Sequence, residues 1–169
     1  MKQAIGVVIM SVTMLVCGCS EAAALKREND AETLAISMIA KYEGFRDKVY
    51  ICAGGKKTIG YGFTDPALIA KGTITRKEAD RHLGILVRKE LRFLNAKISG
   101  LSERQQAACV SFIYNLGRSA FLNSTMFKRL KERNFAAAAT ECNRWVHCNG
   151  KVLKGLVKRR AAEARYLIG

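Results

Sequence analysis

The sequence predicts an α+β fold in which a small N-terminal β-hairpin lobe precedes a mostly helical C-terminal lobe. Within residues 44–64, two short β-branched and aromatic runs flank the turn signal Gly54-Gly55, a pattern typical of a hairpin. From about residue 67 to residue 168, apolar residues recur at helical spacing. The chain has 169 residues, of which 49% are hydrophobic, and this suffices for one domain with its own core.

The first 24 residues have the features of an export signal. Lys2 precedes an uncharged run from Gln3 to Ser20, and small residues follow at 22–24. The run is shorter than the roughly 20 apolar residues that cross a bilayer comfortably. Three outcomes stay open: cleavage after Ala24, lipidation at Cys19, or an uncleaved anchor that is later released. We therefore expect export to the periplasm or the medium, with transient membrane tethering as one route.

After this segment the sequence predicts a polar connector and then a series of helices. Residues 25–30 form the connector, and Asp30 is placed to cap a helix that runs to about Tyr42. Behind the hairpin, capping boxes at Thr75–Glu78 and Ser102–Gln105 predict two more helices. Three further helices are expected around residues 126–130, after Asn134, and over residues 154–168. The last one is expected to turn Leu156, Val157, Ala161, Ala164 and Leu167 inward.

The charge of the chain favours an anionic partner. Lys and Arg together number 29 against 14 Asp and Glu, which gives a formal net charge of +15. Nucleic acid, an anionic membrane and an anionic bacterial wall could all attract such a surface. Export and the lack of a known nucleic-acid motif exclude nucleic acid as the expected partner. The cell wall remains, and we expect a monomer.

Four cysteines would remain after removal of the first 24 residues: Cys52, Cys109, Cys142 and Cys148. They allow three pairings, all of which stay open, although Cys142 and Cys148 are close enough in sequence to bridge. Cys109 lies in an apolar run and is expected to pack as a small hydrophobe. Together with His147, the last two cysteines lack a fourth ligand and a zinc spacing, so no metal site is predicted. Nothing in the sequence signals an organic cofactor.

Glu43 is the first candidate for a catalytic residue. It ends the first predicted helix, whereas Cys52 and Thr58 both fall in the predicted hairpin. A hairpin that folds back beside the helix end would bring these three side chains to one cleft. Spacing alone is a weak signal, because a glutamate at a helix end is usually solvated.

Three separated motifs resemble the phage-type lysozymes, glycoside hydrolase family 24. The pattern of that family is Glu, eight residues, Asp or Cys, five residues, Thr, and Glu43, Cys52 and Thr58 match it without a gap. The resemblance covers about residues 32–168. The motifs are Glu43–Arg46 with Tyr50 and Thr58–Gly62, then Ser111–Gly117 with Ser124-Thr125, and finally Trp145 with Gly155–Arg160 and Glu163.

The resemblance implies a lysozyme-like fold and an N-acetylmuramidase. Such an enzyme hydrolyses the β-1,4 bond between N-acetylmuramic acid and N-acetylglucosamine in bacterial peptidoglycan, which breaks down the wall and lyses the cell. The reaction needs a proton for the leaving oxygen and a group that handles water on the other face. Glu43 is the implied general acid. Tyr42, Phe45 and Tyr61 are expected to form an apolar wall that keeps it protonated.

Cys52 stands where many members of the family have Asp. A thiol, with an ordinary pKa of about 8.5, is mostly neutral at pH 7 unless a cation such as Lys56 or Lys57 lies close to it. Roles as base, as water-positioning group and as nucleophile therefore stay open, although the family implies inversion. Thr58 is implied to hydrogen-bond the attacking water.

The resemblance also implies contacts with substrate and the absence of one ion-pair partner of Glu43. Tyr50, Tyr61 and Asn115 are the implied substrate-binding residues. Phe63 replaces a His found in many members, so Glu43 is expected to lack that ion-pair partner. Two readings of Arg159 and Arg160 stay open: they face the anionic wall, or they bind the last carbonyls of their helix.

Two alternatives to hydrolysis remain. A lytic transglycosylase cuts the same bond with one glutamate and no water, but the presence of both Cys52 and Thr58 to manage water argues against it. A non-catalytic wall-binding protein is suggested by the Cys at the Asp position.

Overall fold

The computed structural model describes the backbone of residues 6–52 and 55–169, and the side chains of residues 22–52 and 55–169. Eight helices and two antiparallel hairpins lie within these residues. In chain order they are α1 (Gly6–Glu43), β1 (Arg46–Ile51), β2 (Lys57–Gly60), α2 (Pro66–Lys71), α3 (Arg76–Lys97), α4 (Glu103–Leu116), α5 (Arg118–Leu122), α6 (Thr125–Lys131), α7 (Phe135–Cys142), β3 (His147–Cys148), β4 (Lys151–Val152) and α8 (Lys154–Ile168). The predicted α+β class is confirmed.

Helix α1 is longer than the sequence predicted. It continues through the expected connector at residues 25–30, and Asp30 lies inside the helix instead of capping it. The physical reason is local, because residues 20–43 contain no Gly or Pro and include many strong helix formers. The export signal is predicted over residues 1–24. The side chains of residues 1–21, on which most of that prediction depends, lie outside the described part of the structure. No helix in the described part of the chain combines the length and apolar character needed to cross a membrane.

The predicted hairpin is confirmed as β1–β2. Tyr50 pairs with Thr58, and Arg46 pairs with Gly60, with an irregularity in register between these two pairs. Helix α2, which the sequence analysis missed, packs beside the hairpin. Asp65 caps it through hydrogen bonds from the first backbone N–H groups, and Gly72 ends it with φ of 79°.

Both predicted capping boxes are present. The Thr75 and Ser102 side chains accept from the backbone of Glu78 and Gln105, whose side chains bond back to the cap backbone. Asn134 caps α7 as expected, and α8 spans the predicted residues. Local sequence signals therefore set most of the helix starts after the hairpin.

Helix α4 forms the centre of the core. Every residue from Ala107 to Ile113 is buried, and α1, α3 and α8 pack around the helix. Helix α3 contributes an apolar stripe that includes Leu83, Val87 and Leu91.

The inward face of α8 differs from the prediction. Val157 is 44% exposed and Ala161 is exposed, whereas Arg159, Arg160 and Glu163 are buried with Ala164 and Leu167. Charged side chains thus occupy the face that the sequence analysis had filled with aliphatic residues. Because each buried charge has a partner of opposite sign, the helix can bury this face.

The last two cysteines do not form the bridge that their spacing allowed. Cys109, Cys142 and Cys148 carry free thiols. Cys142 is buried at the end of α7, whereas Cys148 is exposed in the unpredicted hairpin β3–β4. Asn149 and Gly150 form the turn of that hairpin with φ of 49° and 74°.

Candidate active site

Glu43 is the last residue of α1, and its side chain is 22% exposed in an open cleft. The cleft has a volume of about 560 Å³ and is lined by residues 43–50, so it includes Tyr50 of β1. Gly44 turns the chain out of the helix with φ of 69°, which only glycine adopts readily. The carboxyl group therefore projects into the cleft from the point where helix becomes hairpin.

Gly62 allows the segment after β2 to approach this carboxyl group. A Cβ atom built at position 62 would lie 3.3 Å from Glu43 Oε2, and the φ of Gly62 is 87°. A larger residue would both strain the backbone and press on the carboxylate. The helix end and the end of the hairpin therefore meet at Glu43.

Arg159 of α8 holds Glu43 through an ion pair. Its Nη1 donates to Glu43 Oε1 at 2.6 Å, and only 3% of Arg159 is exposed. Its Nε donates to Glu163 Oε1 at 3.1 Å, and its Nη2 donates to the backbone oxygen of Ser111 at 3.0 Å. All three guanidinium nitrogens are used, so the position of Arg159 is fixed by several bonds at once.

Glu163 lies fully buried behind Arg159. It accepts from Arg159, from Arg160 and from Ser111 Oγ, the last at 2.6 Å, while Cys142 Sγ donates to it at 3.6 Å. Burial, and then the negative charge of Glu163, raises the pKa of the Cys142 thiol, which stays neutral at pH 7. Within the described residues, no buried side-chain nitrogen or oxygen lacks a hydrogen-bond partner.

Tyr114 lines the interior of the site from α4. Its hydroxyl donates to the backbone oxygen of Tyr61 at 2.9 Å, which ties the central helix to the end of the hairpin. Burial raises the pKa of Tyr114, and the negative charge of Glu43 raises it further. The Tyr114 hydroxyl therefore stays neutral beside the carboxylate.

The predicted water-handling residues lie on the hairpin. Cys52 is half-buried just after β1, where its backbone N–H donates to Lys56 at 2.9 Å. Thr58 is buried, with Oγ1 at 3.2 Å from the Lys56 backbone oxygen and 3.4 Å from that of Tyr50. The strand pairing thus places Thr58 directly opposite Tyr50, which lines the same cleft as Glu43.

Tyr61 lies in the core and not on the surface of the cleft. Only 2% of it is exposed, and its ring packs against Phe45 with centroids 5.6 Å apart. Its hydroxyl donates to Asp80 at 2.6 Å and accepts from Arg76 at 3.1 Å. Burial, and then the hydrogen bond to Asp80, raises its pKa. The residue therefore forms part of the wall behind the cleft and offers a ligand almost no surface.

Asn115 and Phe63 occupy the remaining positions of interest. The Oδ1 atom of half-buried Asn115 accepts from Arg160, which leaves its amide N–H groups available as donors. Phe63 is buried and packs edge-on against His82 at 4.6 Å between ring centroids. Phe63 offers Glu43 no ionic partner, but Arg159 supplies one.

The roles of Arg159 and Glu163 were not predicted from the sequence. The arginines were expected to face the bacterial wall or to bind helix carbonyls, whereas both are buried and bound to carboxylates. A signal was present in the spacing: Arg159 and Glu163 stand at i and i+4, in line with buried Ala164 and Leu167. The contact with Glu43 joins residues 116 positions apart, which no local pattern reveals.

Comparison with known proteins identifies a family whose model matches the part of the chain that forms this site. A family model described as phage lysozyme matches residues 40–163, which include Glu43, the hairpin, α4 and Glu163. An endolysin of Acyrthosiphon pisum secondary endosymbiont phage 1 is 37% identical over 131 residues, which cover 75% of this chain and 89% of the relative. The chain spans 51% and 50% of the length of two longer Bacillus phage endolysins.

Further similarities concern a second group of relatives and a solved structure. A SAR-endolysin of Bacteriophage PS119 is 31% identical over 122 residues, covering 72% of this chain and 73% of the relative. The solved structure of the muramidase domain of SpmX from Asticaccaulis excentricus is 30% identical, with a TM-score of 0.71. That match covers 80% of this chain and 95% of the other.

Proposed function

The chain belongs to the phage lysozyme family, and from that premise we propose that Glu43 is the proton donor with which it cuts peptidoglycan. Its enzyme class is glycoside hydrolase, and its activity is that of a lysozyme. The bond cut lies between N-acetylmuramic acid and N-acetylglucosamine, and its cleavage breaks down the bacterial wall. One observation supports the assignment above all: Glu43 alone among the buried network's carboxylates reaches the open cleft, at 22% exposed.

The surroundings of Glu43 suit a general acid. The leaving oxygen of a glycoside needs a proton at the moment the bond breaks. Arg159 fixes one carboxyl oxygen, and Gly62 leaves the other uncrowded. Phe45 lines the cleft, and the buried ring of Tyr61 packs behind it. A carboxyl group held in this way is oriented before the substrate arrives, which lowers the entropic cost of the reaction.

Cys52 and Thr58 are proposed to handle the water. The strand pairing supports this role, because Thr58 pairs with Tyr50, which lines the cleft, and Cys52 directly follows β1. The buried Thr58 hydroxyl donates its hydrogen to a backbone carbonyl, which leaves its lone pairs to accept from a water molecule. Cys52 then acts as base or as a second contact to that water, and inversion is the expected stereochemistry.

Tyr50 and Asn115 are proposed to contact the sugar. Tyr50 is half-buried on the cleft wall, with Arg46 stacked over its ring at 4.8 Å. Asn115 presents amide donors, because Arg160 already occupies its oxygen. Tyr61 supports this surface from behind.

The test is lysis of chloroform-treated Gram-negative cells, followed by the fall in turbidity. The full chain, Glu43→Gln and Cys52→Ser are compared with Glu132→Gln, which removes an exposed carboxylate from the surface pair with Arg129. We expect Glu43→Gln to lose at least about 100-fold in rate and Glu132→Gln to match the parent. Substantial lysis by Glu43→Gln would refute the assignment. Wall binding without lysis by the parent would favour a non-catalytic binder.

We further propose that the N-terminal segment exports the enzyme. The uncharged run after Lys2 supports this, and so do relatives that include SAR-endolysins, a class known for releasable signal-anchor segments. Mass spectrometry of protein from the periplasm and the membrane fraction distinguishes the routes. Loss of residues 1–24 indicates cleavage, a lipid on Cys19 indicates a lipoprotein, and an intact Met1 indicates an anchor. Retention of the intact chain in the cytosol would refute export.

A further inference from the structure

The buried charge cluster of α8 consists of Arg159, Arg160 and Glu163. Its members are 3%, 0% and 0% exposed, so water screens them little. Glu163 bonds both guanidinium groups, through Oε1 to Arg159 and through Oε2 to Arg160. Only Arg159 extends from this cluster to Glu43. Arg159 is therefore the group through which the cluster contacts the proposed acid, and the net charge around Arg159 acts on the protonation of Glu43.

A charge count shows why this matters for a proton donor. With Glu43 ionised, the two arginines and two glutamates sum to zero. Protonation of Glu43, which the reaction requires, leaves the group at +1. Without the charge of Glu163, the same protonation would raise the group from +1 to +2 in a buried setting. An arginine with no second counter-ion would thus oppose protonation of the acid it holds.

We propose that Glu163 is a positioning residue that offsets the positive charge of Arg159. Arg159 can then orient Glu43 while Glu43 still carries the proton that it donates. Glu163 touches neither substrate nor reacting atoms and acts only through Arg159. This inference rests on the proposed function of Glu43 as general acid. It assigns to α8 a part in setting the pH range of the enzyme, separate from its part in the core.

The other titratable and charged groups around Glu43 cannot replace Glu163. Arg46, Asp47 and Lys48 of β1 line the same cleft, but all three are exposed, so solvent screens their charges. Tyr114 faces the site from α4, and burial, followed by the charge of Glu43, raises its pKa, so it brings no charge there at pH 7. The rings of Tyr42 of α1 and Tyr50 of β1 also lie near the site. On the far side of Glu163, Cys142 of α7 and Cys109 of α4 have pKa values raised by burial and by the charge of Glu163. Within the described residues, Glu43 and Glu163 are the two carboxylates bonded to Arg159.

The experiment is the pH dependence of kcat/KM on soluble peptidoglycan oligosaccharides, for the full chain and Glu163→Gln. Loss of the Glu163 charge favours the carboxylate form of Glu43. The alkaline limb of the pH profile, where kcat/KM falls as the acid loses its proton, should therefore move to lower pH. The two carboxylates bind the same guanidinium group, and for charges roughly 6–8 Å apart at an effective dielectric of about 20 this corresponds to a shift of about 1.5–2 pH units. A purely structural role would lower the rate at every pH and leave the limb in place.

Arg160→Gln supplies a test of opposite sign. It removes a positive charge from the same cluster, so the alkaline limb should move to higher pH. The double variant Arg160→Gln/Glu163→Gln restores the charge sum, and its limb should return to within about 0.3 pH unit of the parent, although it disturbs packing more than either single variant. If Glu163→Gln does not fold, as judged by thermal melting, the shift in Arg160→Gln still decides the proposal.

The outcomes separate this inference from the proposed function. Opposite shifts in the two single variants, with return in the double, support the inference. Limbs that stay within about 0.2 pH unit of the parent in every folded variant would overturn it, while an inactive Glu43→Gln would leave the proposed acid intact. Full activity of Glu43→Gln would overturn both.

Discussion

The two walls of the cleft are built on different principles. On the helical side, Arg159 and Glu163 are buried and every nitrogen of Arg159 is hydrogen-bonded. On the hairpin side, β1 contains no buried residue and Cys52 is half-buried, while the buried Thr58 hydroxyl of β2 binds backbone carbonyls and no charged side chain. The proton donor is thus fixed by a buried charge network, whereas the water-handling residues stand on a thin two-stranded ribbon. We expect substitutions on the helical side to affect stability and chemistry together, and substitution of half-buried Cys52 on the hairpin side to affect chemistry alone.

The largest expected effect is on the helical side. Arg159→Met removes the shared partner of Glu43 and Glu163 and leaves buried charge poorly compensated. We expect a loss of about 3–5 kcal/mol in the free energy of unfolding, measured by urea denaturation. Arg129→Met breaks an exposed ion pair instead and should cost less than about 1 kcal/mol. Equal losses in the two variants would contradict the contrast between buried network and surface.

The next effect separates activity from stability on the hairpin side. Cys52→Ala should lower kcat by about 100-fold to 10,000-fold if the thiol acts as the base toward water. Its midpoint of thermal unfolding should stay close to that of the parent, because Cys52 is only half-buried. Cys52→Asp, the residue found in many family members, should retain activity. Undiminished activity in Cys52→Ala would leave Thr58 as the candidate for positioning the water.

A smaller effect is expected where the two walls join. Tyr114→Phe removes the hydrogen bond to the Tyr61 backbone oxygen and leaves that acceptor unpaired in a half-buried position. The free energy of unfolding should fall by about 1 kcal/mol. Tyr42→Phe removes an exposed bond to the Lys158 backbone oxygen and serves as the control. A larger loss in Tyr42→Phe, measured by urea denaturation, would reverse our view of which bond ties the walls together.

The smallest effect concerns the surface behind the hairpin. Hydrogen bonds from Lys71 and then Thr75 lower the pKa of Glu78 to about 2 from an ordinary 4.5. Because the pKa is lowered in the folded state, the ionised group stabilises the fold above pH 4.5, and this contribution is lost as pH falls toward 2. The difference in melting temperature between the parent and Glu78→Gln should therefore shrink from pH 7 to pH 2. A constant difference would mean that Glu78 acts through its cap geometry alone.

Much of the fold was predictable because its signals are local. The capping boxes at Thr75 and Ser102, the Asn134 cap and the limits of α8 depend on a few neighbouring residues. The continuity of α1 was misread because Asp30, a common cap residue, stands within an unbroken run of helix formers. Helix α2 was missed although Asp65, Pro66 and Gly72 mark its ends.

The site was predictable only in part. The family pattern identified Glu43, but the partner of Glu43 lies on α8, where periodicity alone assigned the inward face to Val157 and Ala161. Burial of Arg159 and Glu163 is favourable only because each meets an opposite charge across a helix interface. A one-dimensional pattern contains no information on such pairing, so the charge network became visible only in three dimensions.

The most direct test of the central claim is the fate of water in the reaction. Peptidoglycan is digested in heavy-oxygen water by the full chain and by Glu43→Gln, and the muropeptides are analysed by mass spectrometry. If Glu43 donates the proton for hydrolysis, the parent yields products with one heavy oxygen at each new reducing end, and Glu43→Gln yields almost none. Anhydro ends without label would identify a transglycosylase, and labelled products from Glu43→Gln would show that another residue is the acid.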